Sequence, residues 1–434
     1  MRVILSRSIM NIWSKIINNA EKKVLISNFL ALGVVQGLNF LLPLLVIPYL
    51  LYTLGIEIFG LLAMATAFST YFMILSDYGF NVTATREISV YRDSSEKLNE
   101  IFSAVIVIKI ILMVIGFSIL LLALALFDTL GRESLIYILT FGMVLGQVLF
   151  PIWFFQGMEK MGYIAILNIV AKLFFLVAIL LFVQEKEDAY LVPLFNSLGF
   201  ILVGIVSLFY MYKHFNIRFV WQPYSVLKRY FLMGWHIFLS HMAVLFYTSS
   251  NIFVLGLFTN HLVVGYYAIA DKVISALVSL GDILNQVFFP YLSKKWEKSN
   301  QEYYQIFYKI LKSMVLGMGV VAVIVVWVSS DIVRLLSNKD IAITTELLQI
   351  MSLSIILFPL GGLFSQSFVT QKHSVYVSKS TFWTLLVNVL FVGLLVPIYG
   401  VYGLAIAVVL VQVFHFYLNY LYFIRLKKAS SCVE

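Results

Sequence analysis

Apolar runs of about 20 residues or more recur along the whole chain, separated by short polar breaks. A run of that length is what a helix needs to cross the hydrocarbon core of a bilayer. The pattern predicts about twelve helices, over 26–52, 58–84, 100–127, 134–157, 161–184, 189–212, 230–257, 262–290, 304–329, 343–367, 374–397 and 400–424. Ile101–Phe127 is apolar or glycine except for Ser103, Lys109 and Ser118, too long and too evenly apolar for the two-residue alternation of a membrane β-barrel. Ahead of the first run, Ile9, Trp13, Ile16 and Ile17 fall on one helical face. An interfacial helix and a frayed tail both fit them, and no apolar core of a cleavable signal precedes the first crossing.

The pattern also repeats. A shift of 205 residues, without a gap, lays Gly60, Ala63, Ala65, Leu75, Asp77, Val82, Ser94, Ile101 and Phe102 on Gly265, Ala268, Ala270, Leu280, Asp282, Val287, Ser299, Ile306 and Phe307. At 204 residues, Leu191–Val192–Pro193 and Gly199 meet Leu395–Val396–Pro397 and Gly403. Chance matches in such a chain are mostly Leu, Ile and Val, so an aspartate matched inside a membrane helix points to duplication. The expected fold is an all-α polytopic membrane protein of two pseudo-symmetric six-helix lobes related by an axis along the membrane normal. The division reads as a cytoplasmic amphipathic segment (1–25), an N-lobe (26–212), a cytoplasmic linker (213–229), a C-lobe (230–424) and a cytoplasmic tail (425–434).

Composition removes the other classes. Of 434 residues 62% are hydrophobic and 12% charged, against about 25% charged in soluble domains, and the mean hydropathy is +0.97. A soluble globule, a disordered chain, a coiled coil and a disulfide scaffold are excluded; the one cysteine is Cys432. The net charge of +9 sits on no soluble module, so it speaks for membrane orientation and against nucleic acid. Lys and Arg gather in the N-terminal segment, at Arg86, Arg92 and Lys97, at Lys213, Arg218, Lys228 and Arg229, at Lys294, Lys295 and Lys298, and at Arg425, Lys427 and Lys428. The opposite connections hold only Arg132, Lys186, Arg334 and Lys339, each with an acidic neighbour, so both termini are expected in the cytoplasm.

Polar groups at membrane depth are costly unless they face a cavity or a partner, and so mark candidate sites. Helix two carries Thr66, Thr70, Asp77 and Asn81 within about 60° of one face, and helix eight carries Asp271, Ser275, Asp282 and Gln286 at the four repeat-equivalent positions. Two such stripes either line a central cleft or hold helices together. Helix seven adds His236, Ser240, Tyr247 and Asn251; helix one adds Asn28, Gln36 and Asn39 before the helix-kinking Pro43 and Pro48. Lys272 beside Asp271, and Lys172, are cations nearest the middle of the bilayer, whereas Lys109 is expected to snorkel to the cytoplasmic end. The set expected to line a translocation cleft is Lys272, Lys172, Asp271, Asp77, Asp282, Asn81, Gln286, Thr70, Ser275, Asn251, Tyr247 and Asn39. The six histidines are scattered, no phosphate-cradling loop is present and no metal or cofactor is expected, so the chain reads as a carrier and not an enzyme.

Gly55, Phe59–Gly60, Ser76–Asp77–Tyr78–Gly79–Phe80, Arg86–Glu87–Ile88–Ser89 and Gln156–Gly157–Met158–Glu159–Lys160 resemble the polysaccharide-biosynthesis flippases. These are the O-antigen branch of the multidrug/oligosaccharidyl-lipid/polysaccharide exporter superfamily. The resemblance implies movement of undecaprenyl-diphosphate-linked oligosaccharide from the cytoplasmic to the periplasmic leaflet of a bacterial inner membrane, by alternating access. It also implies a coupling ion, H+ or Na+, and glycan polymerase and chain-length proteins as partners. Similar lipid II flippases carry several arginines along helix one; none stands here between Lys23 and Arg86, which argues against lipid II. Two alternatives remain open: a multidrug exporter of the same superfamily, and a membrane glycan polymerase or ligase. The second needs a large exterior loop, and the longest expected one, around 330–342, is short.

Overall fold

The computed structural model describes residues 44–248 and 250–431. The described residues form helices α1 (Leu44–Thr53), α2 (Ile56–Asp77), α3 (Phe80–Val90), α4 (Ser95–Leu126), α5 (Ser134–Leu149), α6 (Ile152–Gly157), α7 (Met161–Phe182), α8 (Leu191–Phe215), α9 (Tyr224–Thr248), α10 (Ser250–Phe258), α11 (His261–Lys298), α12 (Asn300–Ser337), α13 (Ala342–Met351), α14 (Ser354–Thr370) and α15 (Val375–Ser431), and no strand. Ten of the helical segments are long and apolar enough to cross a membrane. The last holds two expected crossings in one run bent at Gly400 (φ 57°). Most of the first expected crossing, with Asn39 and Pro43, lies outside the described residues, so about twelve crossings stand.

Several boundaries move. The expected helix 58–84 is two helices, because Tyr78 (φ 49°) and Gly79 (φ 78°) take left-handed conformations. Its repeat counterpart α11 runs on unbroken: the positions equivalent to Tyr78 and Gly79 are Ile283 and Leu284, and a leucine does not readily take a positive φ. The expected exterior loop 330–342 shrinks to residues 338–341, because α12 extends to Ser337. There, two guanidinium nitrogens of Arg334 each donate over 3.0 Å to Asp340 and hold that carboxyl below its ordinary pKa.

Packing groups the described chain into two compact units, residues 45–265 and residues 266–431. The first includes α9 and α10, which pack on the helices before them. Phe253 stacks on Phe68 at 4.6 Å, and Gly256 lies so close to Met64 that a Cβ would stand 2.4 Å from its sulfur. The linker is itself tied to α4: Arg218 and Val220 donate backbone N–H groups to Asn99 Oδ1 (2.8 Å) and Ser103 Oγ (2.9 Å).

Within the first unit small residues let helices approach, as they do where lipid removes the hydrophobic drive for association. A Cβ on Gly142 would stand 2.7 Å from Ser197 Cβ, and one on Gly146 2.4 Å from Phe200 Cβ, along the α5–α8 seam. The second unit is centred on aromatics, with Phe307 stacked on Phe423 at 4.4 Å and Tyr303 donating to Ser367 Oγ at 2.7 Å.

The repeat appears in local chemistry. Ser94 caps α4 by accepting from the Lys97 N–H, and Ser299, its equivalent, caps α12 by accepting from the Glu302 N–H. Ser94→Ala and Ser299→Ala are each expected to remove about 1 kcal/mol, lowering the thermal midpoint of the purified protein by about 1 °C. An unchanged midpoint in both would show that these caps do not matter to stability.

Candidate functional site

Helix α11 presents two contrasting faces. Val273, Ile274, Ile283, Val287 and Phe288 are buried, and Asn285 donates to the Pro359 carbonyl at 2.8 Å, seating this face on α14. The opposite face exposes Lys272, Ser275, Asp282 and Gln286, within an arc of about 80°. Other exposed faces in the same chain are apolar, such as Val315, Leu316, Val320, Val323, Ile324 and Trp327 on α12, as lipid requires. A face carrying an ammonium, a hydroxyl, a carboxylate and an amide suits water and polar ligand, not lipid. Asp271 is half-buried and points about 100° away from Lys272, at the edge of this face.

The equivalent stripe on helix two is used differently. Thr66 and Thr70, half-buried, donate their hydroxyls to the carbonyls four residues back, Leu62 and Thr66. Asp77 is buried, with its carboxylate 4.0 Å from the ammonium of Lys109. Lys109 does not snorkel: it lies 1% exposed and donates to the Gln147 carbonyl at 3.4 Å. The repeat counterpart of Lys109 is Met314, so nothing equivalent draws Asp282 inward. The repeat-related aspartates therefore occupy opposite environments, one paired and buried, the other exposed. Lys109 was not legible as the partner of Asp77 because 32 positions of sequence and the whole of α3 separate them.

Around the break in helix two, Tyr78 lies between Phe231 (4.5 Å) and Phe238 (5.0 Å) of α9, and a Cβ on Gly234 would stand 2.6 Å from Tyr78 O. Asn81 is half-buried at the start of α3. Of the other expected residues, Asn251 is buried on α10, Tyr247 and Lys172 are half-buried on α9 and α7, and His236 and Ser240 are exposed on α9.

The motifs that carry the family resemblance meet in space. Thr85 Oγ bridges to the Trp153 carbonyl (3.1 Å) and Gln156 Oε1 (3.3 Å), a Cβ on Gly157 would stand 2.5 Å from Ile88 Cγ2, and Arg92 pairs with Glu159 at 2.7 Å. The guanidinium holds the Glu159 carboxyl below its ordinary pKa. These residues clamp α3 onto α6, a structural joint. A polar cluster in the second unit escaped the sequence reading: His415 Nδ1 lies 2.8 Å from Thr384 Oγ and 3.3 Å from Ser380 Oγ, and Asn419 donates to Nε2 at 3.0 Å. The spacing Ser380, Thr384, Asn388 opposite Gln412, His415, Asn419 was its signal. Among the described residues no group of three or more His, Cys, Asp or Glu could hold a metal ion.

Residues 25–296 match the family described as Polysaccharide biosynthesis protein. Two relatives bear the name "Putative O-antigen transporter". The one from Escherichia coli (strain K12) is 33% identical over 63% of this chain and 66% of its own length, just under two thirds. The one from Shigella dysenteriae is 28% identical over 89% of this chain and 96% of its own length. Among solved structures, the lipid II flippase MurJ in its inward closed conformation superposes with a TM-score of 0.73 at 14% identity, covering 92% of this chain and 87% of that one. An inward-facing multidrug resistance MATE family transporter of the MOP superfamily gives 0.66 at 15% identity, over 89% and 99%. These likenesses show a transporter fold, and with more than half of the chain matched to the family, this protein belongs to the polysaccharide biosynthesis protein family.

Proposed function

We propose that the protein is a flippase that carries an undecaprenyl-diphosphate-linked oligosaccharide, of the O-antigen type, from the cytoplasmic to the periplasmic leaflet of a bacterial inner membrane by alternating access. The observation that carries this reading is the exposed polar face of α11 with Lys272 upon it. A lipid diphosphate is expensive to desolvate and needs cations or hydrogen-bond donors along its route, while its polyprenyl tail can stay in lipid. The Asp282, Ser275 and Gln286 side chains on the same face offer hydrogen bonds to sugar hydroxyls. Both termini and the 213–229 linker lie in the cytoplasm on this reading, and polymerase and chain-length proteins take the product. Reporter fusions at residues 220 and 430 test the topology; a periplasmic signal from either overturns it.

A deletion strain tests the activity. Loss of this protein is expected to leave single repeat units on the lipid carrier facing the cytoplasm, with surface glycan restored by the plasmid-borne gene. Unchanged glycan with new sensitivity to organic cations would replace the reading with a multidrug exporter. Surface single units without long chains would replace it with a polymerase.

A further inference from the structure

We propose that the lipid-facing side of α12, at its basic end, binds an anionic phospholipid whose headgroup phosphate is held by Lys309, Lys312 and Lys427. The site belongs to the second unit alone and goes beyond the flippase reading, which adds only that the leaflet is the cytoplasmic one.

The register of α12 places the first two cations. Gln305, Lys309 and Lys312 are exposed and lie within an arc of about 60°. Leu316, Val320, Val323 and Trp327, exposed and apolar, continue the same stripe and keep it within about 80°. The side that carries these lysines is therefore the side that meets lipid. No ionisable residue follows Lys312 on α12 until Asp331, about 28 Å further along the axis, close to the roughly 30 Å of a hydrocarbon core. Lys312 thus stands where headgroups meet acyl chains. Side chains on a helix lean toward its N-terminus, here the polar end, so both ammonium groups are carried toward the phosphate level.

A third cation converges on them. Lys427 of α15 holds its ammonium 4.8 Å from the centre of the Tyr308 ring and 5.5 Å from that of Tyr304. Phe423, one turn earlier, sets α15 there by packing edge-on to both rings. Tyr308 adjoins Lys309 and stands one turn before Lys312, so one ring borders all three lysines. Among the described residues no carboxylate pairs with Lys309 or Lys312; Glu302, the one acidic residue of α12 before Asp331, is taken by Lys295 at 2.6 Å. Ammonium groups without a carboxylate, beside lipid and at phosphate depth, draw a negatively charged headgroup, each adding about fivefold in preference.

The duplication shows that the fold itself does not require the cluster. The repeat equivalents of Lys309 and Lys312 are Ala104 and Val107, and Ser103, equivalent to Tyr308, is already taken by the linker through the Val220 N–H. Membrane orientation does not require it either, since Lys294 and Lys298 supply basic charge in the adjoining loop.

The test titrates delipidated full-length protein, in neutral detergent, with phosphatidylglycerol or with phosphatidylcholine of the same acyl chains, and counts bound lipid by native mass spectrometry. The wild type is expected to prefer phosphatidylglycerol at least tenfold. Lys309→Gln with Lys312→Gln, at two exposed positions, is expected to bring that ratio within about threefold of unity, and Lys309→Arg with Lys312→Arg to keep it. Lys294→Gln with Lys298→Gln removes the same net charge from the same end and is expected to leave the preference intact. An unchanged ratio in the first variant or an equal loss in the last would overturn the proposal. So would displacement of the lipid by glycerol 3-phosphate at equal concentration, which would mark a site for soluble phosphate anions. No glycan enters the assay, so a failure of glycan export alone would strike the flippase reading and leave the lipid site standing.

Discussion

Lys272→Ala is expected to abolish glycan export while the protein remains in the membrane at wild-type amounts. The side chain is exposed, so truncation leaves no cavity, and surface substitutions of this kind usually change stability by less than about 0.5 kcal/mol. What it removes is the cation on the polar face of α11, where a diphosphate passing through must find a counter-charge. Loss of one charge-assisted contact of about 1.5–3 kcal/mol corresponds to roughly ten- to hundredfold in affinity. Lys272→Arg should restore part of the activity because the charge persists on a differently shaped donor, and Lys272→Gln should not. Quantifying surface glycan against immunoblotted protein separates the outcomes. Full export from Lys272→Ala removes this residue from the route and leaves Asp282 and Gln286 to be tested in turn.

The second large effect is expected at Gly60 and Gly265. A Cβ on Gly60 would stand 1.9 Å from the His261 carbonyl and 2.6 Å from Gly265 N, and one on Gly265 would stand 2.3 Å from the Ile56 carbonyl. Under the 205-residue repeat, Ile56 is equivalent to His261 and Gly60 to Gly265, so the contact is self-complementary, as across a two-fold axis. Both obstacles are backbone, which a rotamer change cannot relieve. Gly60→Val or Gly265→Val must push the two helix starts apart, at a cost of about 1–3 kcal/mol for overpacking, directed wholly against this closed contact. In an alternating-access cycle that closes and reopens here, export should fall at least tenfold in either variant. Normal export from both would show that the contact is not remade during transport.

The number and approximate position of the crossings were legible in the sequence because lipid acts on each helix separately: about 20 apolar residues suffice, whatever their neighbours. The duplication was legible for a similar reason. Ser94 and Ser299 do the same local work as helix caps, and Gly60 and Gly265 the same close approach, so their identity survives in both copies. The polar stripe of α11 was legible too, since exposure on one face follows from spacing alone once the other face is apolar.

What the tertiary structure alone decided is which partner each polar group finds. Asp77 and Asp282 are identical in the repeat, yet only Asp77 is buried beside a lysine, because position 109 is lysine where position 314 is methionine and because Gly79 permits a break that Leu284 does not. Each of those differences is written in the sequence. Their meaning depends on α4 crossing α2 at one particular depth, and that is set by side-chain packing between segments far apart in the chain. The same holds for the family motifs at 86–89 and 156–160, which the fold joins, with Thr85, Arg92 and Trp153 beside them, into a clamp. It holds as well for α9 and α10, whose contacts with Tyr78, Phe68 and Met64 no hydropathy pattern shows. Hydropathy and spacing report what one helix needs from its solvent; a charge buried between helices is decided by the neighbour that happens to stand within reach.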